Sequence, residues 1–346
     1  MKSAKECEMN ILLSSVEQKT YMIQYFKEAL GNNGKVFAAD CEMTCALSQA
    51  DGYIITPQPF DDSYIDSLTD YCKVNNISVI IPLSDTDLSI LAKHKKQLYD
   101  NQISAVVSDE SVIETCNDKW RTSRFLASIG LNQPKTYIDL DEARQDIESG
   151  NLKFPLILKP RWGTDYERVI QVDSLEELNL FHYKIRKDIF KSNFKYASLE
   201  NENECIIIQE KIKGAEYSLD ILNDLNGNYI TSVTKKKLVV LTGETSIAQI
   251  EDNDLFEDIG KNISKYLKHI ACLDVDCFLT ESNNIVVLEI NGRFGRQYPF
   301  THLAGANFPK QIIEWLTGAS TSKDYISPEF GVKGCKEWPL PVAVNF

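Results

Sequence analysis

Three observations predict an α/β chain that opens on a parallel sheet and continues in mixed α+β sheets. Between Asn10 and Ser108, short apolar runs rich in β-branched residues alternate with amphipathic helical runs. Beyond Gly130 that alternation gives way to pairs of strand-like runs around polar loops. A last pair, VDCFL and IVVLEIN, is separated only by a short polar turn and reads as a hairpin. Regular strand–helix alternation implies crossovers, and therefore a parallel sheet.

In the first unit the strand candidates are NILLSS, KVFAAD, GYIIT, SVIIP and ISAVV. The helix candidates between them are YMIQYFKEAL, YIDSLTDYCKV and DLSILAKHKKQLY. The first strand-to-helix turn, Ser14-Ser15-Val16-Glu17-Gln18, has no glycine, so the fingerprint that cradles a dinucleotide pyrophosphate is missing. A Rossmann-like sheet without a dinucleotide is expected. Asn117 to Gly130 reads as a helix with apolar positions Trp120, Phe125, Leu126 and Ile129, stopped by Gly130 and Pro134. Strands are expected at Phe154–Pro160, Val169–Val172, Cys205–Glu210 and Tyr217–Leu222, and again at Tyr229–Val233 after the turn signal Asn226-Gly227. A helix over Leu255–Lys268 precedes the final hairpin, which turns at Glu281–Asn284.

Composition bounds the function. A chain of 346 residues suggests two or three units. Its formal net charge of −13, with no long Lys/Arg run, argues against nucleic acid or an anionic membrane as partner. Nine cysteines scattered from Cys7 to Cys335 without a CxxC pair indicate neither a disulfide framework nor a zinc knuckle. The N-terminus has no apolar signal core, and no apolar run approaches the roughly 20 residues that span a bilayer. A cytoplasmic protein is the expectation.

The chemistry concentrates between Asp276 and Arg293. Residues two apart on a strand share a face, so Glu289 and Asn291 project together, and Asp276 can face them from the other strand of the hairpin. Two carboxylates and an amide oxygen make a hard, all-oxygen donor set suited to magnesium, to be completed by phosphate oxygens and water. On spacing alone the pair also suits a solvated strand end. Glu289, however, follows the apolar run Ile285–Leu288, and a buried carboxylate there needs a compensating partner such as a divalent cation. Arg293, two residues further, is placed to neutralise charge on a phosphoryl group in transfer.

Three stretches extend this reading to a family. FPLILKP around Lys159, IIIQEKIKGAEYSLD from Ile206 to Asp220, and VDCFLTESNNIVVLEINGRFG resemble, in order and spacing, the ATP-binding core of the ATP-grasp superfamily. The likeness is to the branch related to the large subunit of carbamoyl-phosphate synthase, with a single core. It begins with NILLSSVEQKTYMIQYFKEAL and SVIETCNDKW and runs to about residue 318. It implies a Rossmann-like N-terminal parallel-sheet domain over 9–110 and a helical linker region over 111–152. A lid subdomain over 153–212, a C-terminal subdomain with the metal site over 213–320 and a tail over 321–346 would follow. Lid and C-terminal subdomain, both α+β, would clasp the nucleotide.

Residue by residue, the resemblance implies that Lys119 and Lys159 reach ATP phosphates, Lys159 also acting in catalysis with Arg293. Glu210, Lys211 and Ile212 match the hinge that hydrogen-bonds adenine, and Glu216 the carboxylate that holds the ribose. Asp276, Glu289 and Asn291 match the ligands of Mg2+, for which Mn2+ can substitute. The implied reaction is ATP-dependent activation of a small carboxylate as an acyl phosphate, captured by an amine or similar nucleophile, in a chain that can form a homodimer. Carbamoyl-phosphate-synthase-like phosphorylation of bicarbonate or carbamate is one alternative, and a nucleotide-binding regulatory protein without catalysis is another.

One stretch departs from the family pattern. The lid loop after Lys159, Arg161-Trp162-Gly163-Thr164-Asp165-Tyr166-Glu167-Arg168, has one glycine where several are usual, and two acids beside the expected phosphates. Arg161 and Arg168 are candidates to compensate. The histidines His94, His182, His269 and His302 share no ligand or triad spacing, though His302 follows the magnesium strand. Lys235-Lys236-Lys237 reads as a solvated strand edge, or, by the resemblance, as a strand from which Lys235 or Lys237 touches phosphate.

Overall fold

The computed structural model describes residues 9–163, 168–191, 199–241 and 243–337. Its first unit is a five-stranded parallel sheet in the order β3-β2-β1-β4-β5. The strands are β1 (Asn10–Ser14), β2 (Val36–Asp40), β3 (Gly52–Ile55), β4 (Ile77–Pro82) and β5 (Ser104–Ala105). Helices α1 (Thr20–Leu30), α2 (Tyr64–Val74), α3 (Asp85–Lys93) and α4 (Lys95–Asp100) connect them. The three inner strands β2, β1 and β4 are largely buried runs because the sheet is covered on both faces, whereas the edge strand β3 leaves Tyr53 and Ile55 exposed. Ile11 and Leu13 pack with Met22, Ile23 and Phe26 of α1, while Leu12 points the other way, into a cluster with Leu68, Leu88 and Leu91.

The helix expected over Asp87–Tyr99 breaks at His94. Its backbone N–H and its ring Nδ1 both converge on the Ile90 carbonyl, each at 3.0 Å. The helix expected from Asn117 likewise starts later. Two helices, α5 (Glu110–Asn117) and α6 (Lys119–Ser128), meet at Asp118, whose carboxylate caps α6 by accepting from the N–H groups of Trp120 and Arg121 at 3.0 and 3.3 Å.

The second unit is a four-stranded antiparallel sheet, β6-β9-β7-β8, made of β6 (Thr136–Tyr137), β7 (Leu156–Pro160), β8 (Ile170–Val172) and β9 (Ile206–Glu210). Helices α7 (Leu140–Glu148) and α8 (Leu175–Ile189) cover one face, Leu178, Ile185 and Ile189 packing on Leu156, Leu158 and Ile208. β6 comes from the stretch expected to be a helical linker, 111–152.

The third unit is a six-stranded antiparallel sheet, β14-β13-β10-β11-β12-β15. It contains β10 (Ala215–Asn223), β11 (Tyr229–Leu241), β12 (Glu244–Glu251), β13 (Ala271–Leu279), β14 (Ile285–Asn291) and β15 (Lys333–Cys335). β11 runs eight residues past the expected Tyr229–Val233, because the lysine run pairs with β12 instead of ending the strand. β15 lies in the expected tail and pairs with Ile247–Gln249 of β12. Helices α9 (Asp254–Leu267), α10 (Tyr298–Leu303), α11 (Phe308–Leu316) and α12 (Lys323–Ile326) complete the chain.

Strand periodicity divides this third sheet into two chemically opposite faces. Tyr217, Leu219, Ile221, Leu273 and Val275 pack against Phe256, Ile263 and Leu267 of α9 and Leu126 of α6. The alternate residues are polar: Glu216, Ser218 and Asp220 on β10, Lys235 and Lys237 on β11, Asp274 and Asp276 on β13. The register sets Ser218 opposite Asp276 and Asp220 opposite Asp274. Between β13 and β14, Asp276 pairs with Glu289 but Cys277 pairs with Val287, so Leu288 is an extra, bulged residue. A bulge re-aims the side chains beyond it. Here it keeps Glu289 and Asn291 with Asp276 and Asp274.

Candidate active site

The polar face of the third sheet, the helix-free face of the second sheet at β7 and β9, and the start of α6 enclose a cavity of about 630 Å³. Lys119, Lys159, Glu210, Lys211, Ile212, Glu216, Asp276, Glu289, Asn291 and Arg293 all line it. They come from separate elements, so it is the folding of the three units that brings them together.

At the polar end cations face carboxylates. Lys159 Nζ lies 3.5 Å from Glu289 Oε2. Lys237 Nζ lies 2.7 Å from Asp276 Oδ1 and 3.8 Å from Glu216 Oε2. Lys119 is aimed by its position: Asp118 caps the helix, the Lys119 N–H donates to the Arg161 carbonyl at 3.2 Å, and Nζ donates to the Gly163 carbonyl. Burial opposes charge throughout this end. It works against the Glu289 carboxylate, but Lys159, Lys119 and Lys237 together outweigh it and hold that group below the usual carboxylate range. Burial pulls Lys119 down to about 8 although Glu289 draws it up. Burial and the neighbouring Asp276 push the Asp274 carboxyl up. Lys237 moves up because Asp276 outweighs its burial.

These oxygens fit a magnesium ion. Asp276 and Glu289 sit opposite each other in register, Asn291 lies on the same face, and Asp274 Oδ1 is buried without a hydrogen-bond partner. Among the described residues no three His, Cys, Asp or Glu side chains converge as a closed metal site. An open two-carboxylate, one-amide set is what magnesium takes when phosphates supply the remaining ligands.

The opposite end is apolar, lined by Ile157, Ile212, Val240, Phe278 and Leu288. Between β9 and β10 the segment Lys211–Gly214 leaves the ladder, so its backbone groups are not consumed by strand pairing. Gly214 makes the crossing tight, since a Cβ there would sit 2.4 Å from the Leu279 carbonyl oxygen. An apolar slot beside unpaired backbone groups suits a planar heterocycle, and the charged end suits its phosphates.

Several expectations are corrected. Arg161 does not compensate for the glycine-poor loop: it is buried, held by both oxygens of Asp118 at 2.8 Å and by Glu204 at 2.9 Å, and stacked on Trp162. It ties the end of β7 to the cap of α6. Thr164–Glu167, with both loop acids, lie outside the described residues. Lys235 is not a solvated edge and does not reach the cavity, being fully buried against Asp220; of the two lysines only Lys237 lines it. His302 stacks on Tyr25 with ring centroids 3.6 Å apart, and burial pulls it down to about 4. It does not line the cavity. Arg293 lines the cavity but is also engaged from behind by Asp85 and Asp274.

Asp274, Arg296 and Gln297 line the cavity without having been singled out in the sequence. Asp274 was within reach of the period-2 argument that picked Asp276. A smaller crevice of about 270 Å³ opens at the carboxyl ends of β1 and β2, lined by Glu17, Asp40, Glu42, Thr44 and Thr86 among others. There the turn without glycine still takes left-handed backbone at Ser15 (φ 48°) and Glu17 (φ 50°), the Glu17 N–H donating to Asp40 Oδ2 at 2.7 Å.

The architecture is that of the ATP-grasp fold behind a Rossmann-like N-terminal domain. More particularly, residues 11–106 match the family model "PylC-like, N-terminal domain", and residues 202–336 match "ATP-grasp in the biosynthetic pathway with Ter operon". The chain is similar to the carbamoyl phosphate synthase large chain of Caldanaerobacter subterraneus subsp. tengcongensis, 24% identical over 255 residues. That match takes in 70% of this chain and 22% of the relative, so the chain spans about a fifth of the relative's length. Among solved structures it resembles the L-amino acid ligase from Bacillus licheniformis, with a TM-score of 0.72 at 18% identity over 94% of this chain and 79% of that one. It also resembles biotin carboxylase from Campylobacter jejuni, with a TM-score of 0.71 at 13% identity over 92% and 73%. No helix among the described residues is long and apolar enough to cross a membrane.

Proposed function

We propose that this protein is an ADP-forming ligase that uses Mg·ATP to activate a small carboxylate for capture by an amine or similar nucleophile. The observation that carries the reading is the cavity's polar end, where Asp276, Glu289, Asn291 and Lys237 on the third sheet face Lys119 and Lys159. Such an arrangement suits a metal–polyphosphate and little else of comparable size. The apolar slot at Ile157, Ile212 and Leu288 would take adenine, and Glu216 at its border would take the ribose hydroxyls.

In the proposed reaction a carboxylate oxygen of the substrate attacks the γ-phosphorus, the bond to the β–γ bridging oxygen breaks, and ADP leaves. The nucleophile then attacks the acyl carbon, inorganic phosphate departs, and the amine gives up a proton. Magnesium, when bound, would supply charge neutralisation between phosphate oxygens. Glu289, Asp276 and Asn291 would hold it. Lys119 and Lys159 fix and neutralise the phosphates from the opposite wall, and Arg293 faces the transferred group. No side chain forms a covalent intermediate, so the protein's part is alignment, electrostatics and exclusion of water.

Likeness to the carbamoyl phosphate synthase large chain supports a second reading, phosphorylation of bicarbonate or carbamate in the same cleft. Calorimetry with Mg·ATP is the primary test. The expected result is saturable binding below millimolar; a folded protein that binds no Mg·ATP at millimolar concentration would sink both readings. ADP release with bicarbonate alone, set against release with a pool of amino acids, separates the two.

A further inference from the structure

We propose that Asp85 is a positioning residue that sets the Arg293 guanidinium against the reacting phosphate, an inference resting on the nucleotide reading above. Asp85 opens α3 in the N-terminal unit, and Arg293 follows the metal strand 208 residues later. Asp85 Oδ2 accepts from both Arg293 Nε, at 3.0 Å, and Nη2, at 2.7 Å. From the other side Nη1 donates to Asp274 Oδ2 at 3.4 Å and to the Phe294 carbonyl at 3.2 Å. A planar guanidinium held at Nε, Nη1 and Nη2 has one orientation left. Both partners are enclosed, with side chains 9% and 17% exposed.

Stability alone does not account for this arrangement. Asp85 Oδ1 and Asp274 Oδ1 are buried without hydrogen-bond partners, which costs free energy. Gly295 is required to admit Asp274, because a Cβ there would lie 2.4 Å from that same Oδ1. Two acids and a glycine are thus arranged around one arginine that faces the cavity. Asp85 also carries the tie across units. Its neighbour Ser84 donates to Glu17, and its other neighbour Thr86 lines the N-terminal crevice. A guanidinium preset in this way meets a developing charge without the reorganisation a free arginine would need.

The test is calorimetry of Mg·ATP and Mg·ADP on the wild type, D85N, R293M and the double variant, each first checked by thermal melting. Only ATP carries the phosphoryl group that Arg293 faces. D85N should therefore weaken Mg·ATP by about five- to tenfold while leaving Mg·ADP within about twofold. R293M should show the same selectivity, and adding D85N to it should change Mg·ATP by less than about twofold, because Asp85 acts through Arg293. Equal losses for both nucleotides, or losses that multiply in the double variant, would overturn the assignment. If D85N does not fold, D85E serves: its longer side chain displaces the guanidinium and should give the same selective loss. A wild type that binds neither nucleotide removes the nucleotide reading and this inference together; unselective losses in a wild type that binds both remove only the inference.

Discussion

Lys235 and Lys237 stand two residues apart on β11, share a face and each meet an aspartate, yet one is sealed in the core and the other lines the cleft. At the sealed end Asp220 holds Lys235 and accepts from the Thr301 hydroxyl of α10, while Ser218 donates to Gln297. At the open end Asp276 and Glu289 meet Lys237 and Lys159 in the wall of the cavity beneath the second sheet and the start of α6. Strand alternation made both ends polar. The difference comes from α10, which covers one end and stops short of the other. Charge on a sheet face is therefore structural or chemical according to what the chain lays over it.

The largest expected effect breaks the sealed end. Lys235→Met strands Asp220 in the core and should cost about 3–5 kcal/mol of unfolding free energy. Urea denaturation measures it, and a loss near zero would mean that Asp220 does not rely on the lysine. At the open end the effect should move from stability to chemistry. Glu289→Gln should cut ADP release by about 100-fold or more, roughly 3 kcal/mol in the barrier, and, because Lys159, Lys119 and Lys237 lose the carboxylate they hold below its usual range, should lower the urea midpoint without ligand, though by less than Lys235→Met does. Wild-type turnover at saturating magnesium, or a loss of apo stability as large as that of Lys235→Met, would assign Glu289 a structural role instead.

A pH series sharpens the contrast. In the free protein Lys119 titrates at about 8, whereas a bound polyphosphate would hold its proton to higher pH. Below about pH 7 the ammonium is present before and after binding, so affinity should be flat. As pH rises through 8 binding must take up a proton, and Mg·ATP affinity should fall by up to about tenfold per pH unit. Lys119→Gln should abolish that slope, and an unchanged slope would point to another group. The smallest effect concerns metal. Lys237→Met should lower the melting stability by about 1 kcal/mol without magnesium and regain it with millimolar Mg2+, because the cation replaces the lost lysine charge beside Asp276. Lys235→Met should gain nothing from magnesium. Equal responses would show that the two ends do not differ as described.

Features carried by local pattern were legible in the sequence. The strands of the parallel sheet announced themselves as buried runs between amphipathic helices, and the cavity residues lie within short stretches whose order is preserved. Features set by distant partners were not. β12 and β15 lack a pattern of their own and exist because β11 continues past its lysines. The lysine run could not say which lysine α10 would cover. Arg161 read as a loop cation, and only the buried Asp118 makes it a tie between strand and helix. Asp85 sits 208 residues from the arginine it holds, and no local periodicity links them.

β15 is only three residues long, yet it decides what the sheet offers to other molecules. It lies along β12, and backbone bonds flank it on both sides, Ile250 N–H to the Val332 carbonyl at 2.9 Å and Lys336 N–H to the Ser246 carbonyl at 2.8 Å. Without it, β12 would present bare donors and acceptors beside a long strand, a template on which another copy could build and an invitation to aggregate. With it, the strand at the rim is short and carries the exposed Lys333. Those few residues give the sheet a blunt, cationic border that a neighbouring strand has little to grip.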